Sequence, residues 1–348
     1  MAFRSQFAAL AALAAGAVMA AVVAAPAHAT DLRLPMYGHA HLPPVVAASA
    51  PAQHPEGVAW DPTRHAFLVS SLRHGTVSVV RADGSVRTLI SDPRMISTLG
   101  IQVDARRNRV LVAFSDMGVG ERTSPDTQMK VAGLGIFDLR TGTARHFVDL
   151  ASVAGEGLHV ANDIAVAPDG TAYVADSLSE SLVQVDVWGH ASVLVRDARF
   201  HAVSSPTGFG LNGIVWHPGG YLLAVKSWGG ELFRITTGHK PTVTVVQTDK
   251  PIHNGDGLLL RRDGSLLAVT NPLGPDGISA VRLLRTRDDW TSATTAELLP
   301  WPDAASTTAA ATPDGDYVLY GALDVLFGGG LSDNFDLRRA DFTTSSSS

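Results

Sequence analysis

Apolar and polar positions alternate along this chain in short runs punctuated by turn residues, and one run keeps returning. It first starts at Glu56, follows Val58 to Trp60, turns at Asp61-Pro62 and returns along Ala66 to Val69. Copies lead off at Leu99, Asn162, Asn212 and Asp256, and a weaker one at Thr307. The turn is often Asp-Gly, as at Asp169-Gly170 and Asp263-Gly264. Alternation of period two predicts strands, and Asp-Gly between two such runs predicts a hairpin. Each interval holds a second strand pair, such as Gly75 to Val80 with Val86 to Ile90, or Ser181 to Asp186 with Ala191 to Val195. Six copies at intervals of 43 to 63 residues, each with room for four strands, predict an all-β fold, a six-bladed β-propeller with four-stranded blades. Asp31 to Ala47 is expected to supply the outer strand that closes the ring. An open solenoid fits less well, because open arrays need distinct capping repeats. No linker interrupts residues 31–342, which reads as one domain.

The two ends read differently. Arg4 precedes an apolar run from Phe7 to Ala25, and Ala27-His28-Ala29 places small residues where a signal peptidase cuts. Residues 1–29 are therefore expected to be a signal peptide and the mature protein to be secreted or periplasmic. The competing reading is an uncleaved anchor, since the run is nearly long enough to span a bilayer. Its alanine richness and the Ala-His-Ala ending favour cleavage, leaving no membrane segment. Residues 343–348, mostly serine, are expected to be a disordered tail.

Composition narrows the chemistry. Of 348 residues, 45% are apolar and 17% charged, enough for a large core. A net charge of −6 without a basic stripe argues against a nucleic-acid partner. No cysteine is present, which removes disulfides, thiolate metal sites and cysteine nucleophiles. Gly-x-Ser-x-Gly and His-Glu-x-x-His are also missing, so neither an α/β-hydrolase nor a zincin is supported.

In a propeller the innermost strand of every blade starts at one face and lines the central channel. The leading residues Glu56, Leu99, Asn162, Asn212, Asp256 and Thr307 should then converge on the axis. Four of them are hard oxygen donors, Glu56, Asn162, Asn212 and Asp256, and they come from four different blades. Such a set suits Ca²⁺ or another divalent cation, which gathers six to eight oxygens in irregular geometry. Two carboxylates on one axis would repel each other without a positive ion. The alternative is that these residues only terminate strands, a common use of Asn and Asp.

Pro55-Glu56-Gly57, Ala161-Asn162-Asp163, Leu211-Asn212-Gly213 and Gly255-Asp256-Gly257, in that order, resemble the senescence-marker-protein, gluconolactonase and luciferin-regenerating-enzyme family. The resemblance implies a six-bladed propeller with a catalytic divalent cation that hydrolyses lactones or related esters. It also implies that Glu56, Asn162, Asn212 and Asp256 are the metal ligands. Blade 2 departs from the pattern, with Leu99 on the axis and an insertion from Asp116 to Ala132. That insertion falls on the same face and, with Gly118, Gly120 and Pro125, is expected to form a mobile lid.

The expected function is thus hydrolysis of a small lactone or ester by a monomer acting on a small-molecule substrate. Asp256 is the candidate general base. Lys226, at a return-strand end with Ser70, Asp176, Ser177, Thr270 and Asn271, would orient an anionic substrate or pair with Asp176 or Glu231. His253 is a candidate proton shuttle, as are His54 and His159, each just before an axial residue; a loop histidine without a catalytic role is the plainer reading of each. The rival function is a non-hydrolytic propeller, either a ligand-binding or scaffold protein or a strictosidine-synthase-like enzyme.

Overall fold

The alternating runs do become strands. In the computed structural model, which describes residues 41–201 and 208–342, the first meander is Val58–Asp61, Ala66–Val69, Thr76–Val80 and Val86–Ser91. Four sheets are four-stranded and one is eight-stranded. The eight-stranded sheet consists of two antiparallel meanders, which start at Leu211–His217 and Gly255–Leu260. Their outer strands join through a short parallel pairing, Gln247 with Ser292 and Thr248 with Ala293. The α-helix among the described residues is limited to two single turns, Leu150–Ala154 and Leu323–Phe327. The expected signal peptide, residues 1–29, and the tail, residues 343–348, lie outside the described residues.

The first strands of the meanders touch one another in a closed cycle. Val58–Asp61 packs on Ser97–Asp104, which packs on Ala161–Val166, and so on through Leu211–His217, Gly255–Leu260 and Ser306–Thr312 back to Val58–Asp61. The last sheet is completed from the other end of the chain. Val45–Ser49 pairs antiparallel with Asn334–Arg339, Val46 opposite Leu337. The closing strand therefore takes in the last three residues of the expected Asp31 to Ala47 and runs on to Ser49; residues 31–40 of that stretch are outside the described residues.

The core is divided into slabs, each between neighbouring sheets. Leu68, Val79, Ile101 and Val112 fill one; Leu134, Ile164, Val174 and Val183 fill the next. The slab between last and first sheets joins Phe67 to Tyr317, Val46 and Leu337. Phe67 is fully buried, with its ring edge-on to Trp60 at 5.1 Å and tilted against Tyr317 at 5.4 Å. The Tyr317 hydroxyl donates to the Pro43 carbonyl at 2.8 Å, so its polar end is satisfied beside the strand that completes the last sheet. Each such buried aromatic or aliphatic side chain contributes about 1.5–3 kcal/mol. The slabs leave the axis itself free for the leading residues.

Candidate metal centre and its cavity

A backbone irregularity places the leading residues. In the five inner strands after the first, pairing with the return strand shifts register at the leading residue. The shifts fall between Thr98 and Ile101, Ala161 and Ile164, Leu211 and Ile214, Gly255 and Leu258, and Ser306 and Ala309. Such a bulge re-aims side chains that a regular strand would send to opposite faces. In the first sheet Glu56 precedes its strand, and the Ser70 hydroxyl accepts the backbone N–H groups of Glu56 and Gly57 at 3.1 and 2.7 Å.

Glu56, Asn162, Asn212 and Asp256 all line one cavity of about 380 Å³. The first three are buried and Asp256 is half-buried. Asn162 donates its amide to the Ser177 hydroxyl at 3.0 Å, and Ser177 in turn donates to the Leu211 carbonyl at 2.6 Å. That chain turns Asn162 so that its Oδ1 is buried with no hydrogen-bond partner, as is Glu56 Oε2. Asp256 Oδ2 accepts from the Asn271 amide at 2.7 Å, and the same amide also reaches the Ser306 carbonyl at 3.0 Å. Burial pushes the Glu56 carboxyl well above its usual range, and the charges of Asp256 and Asp163 push it further. Asp256 is raised to about 7 by burial, although Asn271 opposes this, and Asp163 adds to the rise.

Asp163 is the residue that sequence reasoning missed. The position after each leading residue carries Gly57, Gly100, Gly213 and Gly257 in four copies. Those glycines let inner strands approach closely: a Cβ on Gly57 would collide with the Leu99 carbonyl, and one on Gly213 with the Asp256 carbonyl. Asp163 stands where glycine would, and Thr308 does so in the last copy. Its carboxylate accepts the Ile164 N–H at 2.8 Å and shares a narrow axial cavity with Glu56, Asn212 and Asp256. Burial raises it to about 7. The signal that would have found it is the break in the glycine register.

Three carboxylates thus face one channel, and no lysine, arginine or histidine is among the described residues lining either cavity. The donor set fits a hard divalent cation, for which two unpartnered oxygens and mutually repelling carboxylates are the expected surroundings. No group of three His, Cys, Asp or Glu is arranged as a metal cage among the described residues. The quartet supplies two carboxylates, and its other two donors are carboxamides.

The remaining candidates fall elsewhere. Lys226 is buried and its Nζ lies 3.6 Å from Glu231; the expected substrate-orienting lysine is turned into an ion pair and does not line the cavity. His253 is half-buried and does not line it either. His54 and His159 are both structural but in opposite charge states. His54 Nδ1 faces the Gly321 and Ala322 carbonyls while Nε2 accepts the Ser332 N–H at 3.0 Å, which requires a neutral ring. Burial lowers its pKa accordingly. His159 faces two acceptors, Asp176 at 2.6 Å and the Gly155 carbonyl at 2.8 Å, so both nitrogens donate. The Asp176 carboxylate raises its pKa. Thr270 donates to the Ile278 carbonyl and serves its own hairpin.

The expected lid is a fastened wall. Asp116, fully buried, accepts from Gly118 N–H, Thr123 and Thr127 at 2.6–2.9 Å. Arg122 donates to the His74 carbonyl at 2.6 Å, and the Met129 carbonyl accepts from His159 N–H. Met117 and Met129 of this segment line the cavity. Its other walls include Leu99, expected on the axis, and Phe209, Trp228 and Phe327, apolar side chains that sequence reasoning did not gather because none of the three lies in a strand.

Fold and site together define a propeller-type all-β protein with a polar, acidic cluster where inner strands converge. No family model matches the chain, and no curated protein does. Solved structures of the same fold are found at low identity. The major Malassezia sympodialis allergen Mala s 1 is 17% identical with a TM-score of 0.68, over 88% of this chain and 99% of that one. A gluconolactonase from Xanthomonas campestris is 17% identical with a TM-score of 0.56, over 86% and 90%. The calcium-binding protein regucalcin from Agrobacterium tumefaciens is 16% identical with a TM-score of 0.55, over 86% and 94%. The structural neighbours thus include gluconolactonase- and regucalcin-like propeller proteins, the group that the four motifs resemble.

Proposed function

We propose that this chain is a six-bladed propeller, each four-stranded meander being one blade, that hydrolyses a small lactone or related ester with the help of a divalent cation. The observation that carries this is the pair of buried acceptors without partners, Glu56 Oε2 and Asn162 Oδ1, at a cavity also lined by Asn212 and Asp256. Buried polar atoms are nearly always paired, so the two oxygens imply an absent positive partner. Glu56, Asn162, Asn212 and Asp256 would hold it, and an all-oxygen set favours Ca²⁺. Bound there, the cation would polarise the substrate carbonyl and stabilise the oxyanion. The chain's own residues do the rest. Ser177 and Asn271 orient Asn162 and Asp256, the apolar walls keep bulk water from the carbonyl, and half-buried Asp256 takes a proton from the attacking water and returns it to the alkoxide released as the acyl C–O bond breaks. Neighbours named as a gluconolactonase and as a calcium-binding regucalcin agree with this reading. We also propose, on the strength of residues 1–29, that the mature protein is exported.

The test is proton release from a lactone panel with and without chelator. Activity lost on chelation and in Asp256→Ala supports hydrolysis. A second reading, a ligand-binding propeller without turnover, is favoured by one observation: the cavity's described lining offers no lysine or histidine to move protons. A bound cation with no turnover of any ester would decide for it.

A further inference from the structure

The cavity is sharply divided between floor and wall. Apart from the quartet, the polar side chains among the described residues of its lining are Ser227, Asn254 and Asn271. Asn271 is fully committed: its amide serves Asp256 and Ser306, and its Oδ1 accepts the Leu273 N–H at 3.1 Å. Asn254 donates to the Asn271 carbonyl at 3.2 Å, which leaves one spare acceptor, its Oδ1. The rest is leucine, methionine, phenylalanine and tryptophan, with Gly274 between Trp228 and Asn254. The apolar character continues outward. Leu273 and Phe327, both on the lining, are 39% and 45% exposed, and Ile278 and Leu331 on the same two segments are 47% and 60% exposed.

A sugar lactone carries a hydroxyl on nearly every ring carbon. Burying those against leucine and methionine leaves them without partners, at a penalty of roughly tenfold in affinity or more for each. A hydrocarbon substituent meets the same walls favourably, by about fourfold per methylene. We infer that the cavity selects a lactone or ester with an apolar body, its carbonyl at the quartet and its hydrocarbon part along Met117, Met129, Phe209, Trp228 and Phe327, and discriminates against polyhydroxylated substrates. This rests on the hydrolase reading for the head group, and on the walls alone for the body.

The experiment uses the full chain with Ca²⁺ and non-hydrolysable lactams. Calorimetry with a 5-alkyl-γ-lactam series, from unsubstituted to pentyl, should show affinity rising about fourfold per methylene. Glucono-δ-lactam should bind at least about a hundredfold more weakly than the pentyl compound. A flat series, or tightest binding of the polyol, overturns the inference. Turnover of the parent lactones separates the two claims. Rising lactam affinity with no lactone hydrolysed upholds apolar selection and sinks the hydrolase reading; preferred hydrolysis of gluconolactone does the reverse. Phe327→Lys, at a half-exposed position, should weaken the pentyl lactam more than the unsubstituted one. Equal loss across the series would place the hydrocarbon elsewhere and contradict the assignment.

Discussion

Asn162 and Leu99 hold the same place in adjacent sheets, each inside a register shift at the start of an inner strand. Asn162 leaves an unpartnered oxygen in the cavity, whereas Leu99 joins an apolar cluster with Leu72, Val160 and Leu323. Thr307, in the last sheet, spends its hydroxyl on the Glu56 carbonyl at 2.6 Å. The repeat therefore supplies the position and the side chain decides its use. Four copies offer oxygen to the axis, one seals the cavity with hydrocarbon, and one braces its neighbour's backbone.

Substitutions should pull these uses apart. The largest effect is expected from Asp256→Ala, which should abolish cation-dependent activity, by more than the roughly 10- to 100-fold typical of a group that only orients a ligand; assays at saturating Ca²⁺ check it. Leu99→Ala should act on stability instead, costing about 2–5 kcal/mol in denaturant unfolding while leaving cation affinity in place. Ser177→Ala and Asn271→Ala remove the supports of Asn162 and Asp256. Each should weaken cation affinity roughly 10- to 100-fold, read by calorimetric titration. The smallest effect contrasts the two buried histidines. The raised pKa of His159 means that its ion pair with Asp176 stabilises the fold below the unfolded value of 6.5 and fades as pH climbs through the folded value. His54, with a lowered pKa, should instead cost stability as pH falls through 6.5. In melting curves against pH, the deficit of His159→Gln relative to the parent should shrink as pH rises above 6.5, and that of His54→Gln should shrink as pH falls below it.

Much of this could be read in the sequence because the repeat carries its own register. The Asp-Gly turn fixes where each return strand starts, and counting back from it finds Glu56, Asn162, Asn212 and Asp256, which line one cavity. Asp163 escaped because strict alternation would send it to the face opposite Asn162, and the bulge that defeats alternation leaves no mark except the missing glycine. For Lys226 the sequence left two uses open, and the ion pair with Glu231 is the one the structure shows. Its place at a strand end was legible, but its ion pair depends on Glu231, across a tight turn through Gly229 and Gly230, both at positive φ. The apolar walls were least legible, since Phe209, Trp228 and Leu273 sit outside every repeat. The lid expectation failed on Asp116, whose three hydrogen bonds turn a glycine-rich stretch into a fixed wall.

The central claim is that a divalent cation neutralises the axial oxygens, and Ca²⁺ titration of chelator-treated protein tests it most directly. The account predicts a single ion per chain, with a stabilisation of about 2.7 kcal/mol at a hundredfold excess over Kd, both lost in Glu56→Gln and retained in Leu99→Ala. Binding that survives Glu56→Gln unchanged, or no binding by the parent protein, would contradict it.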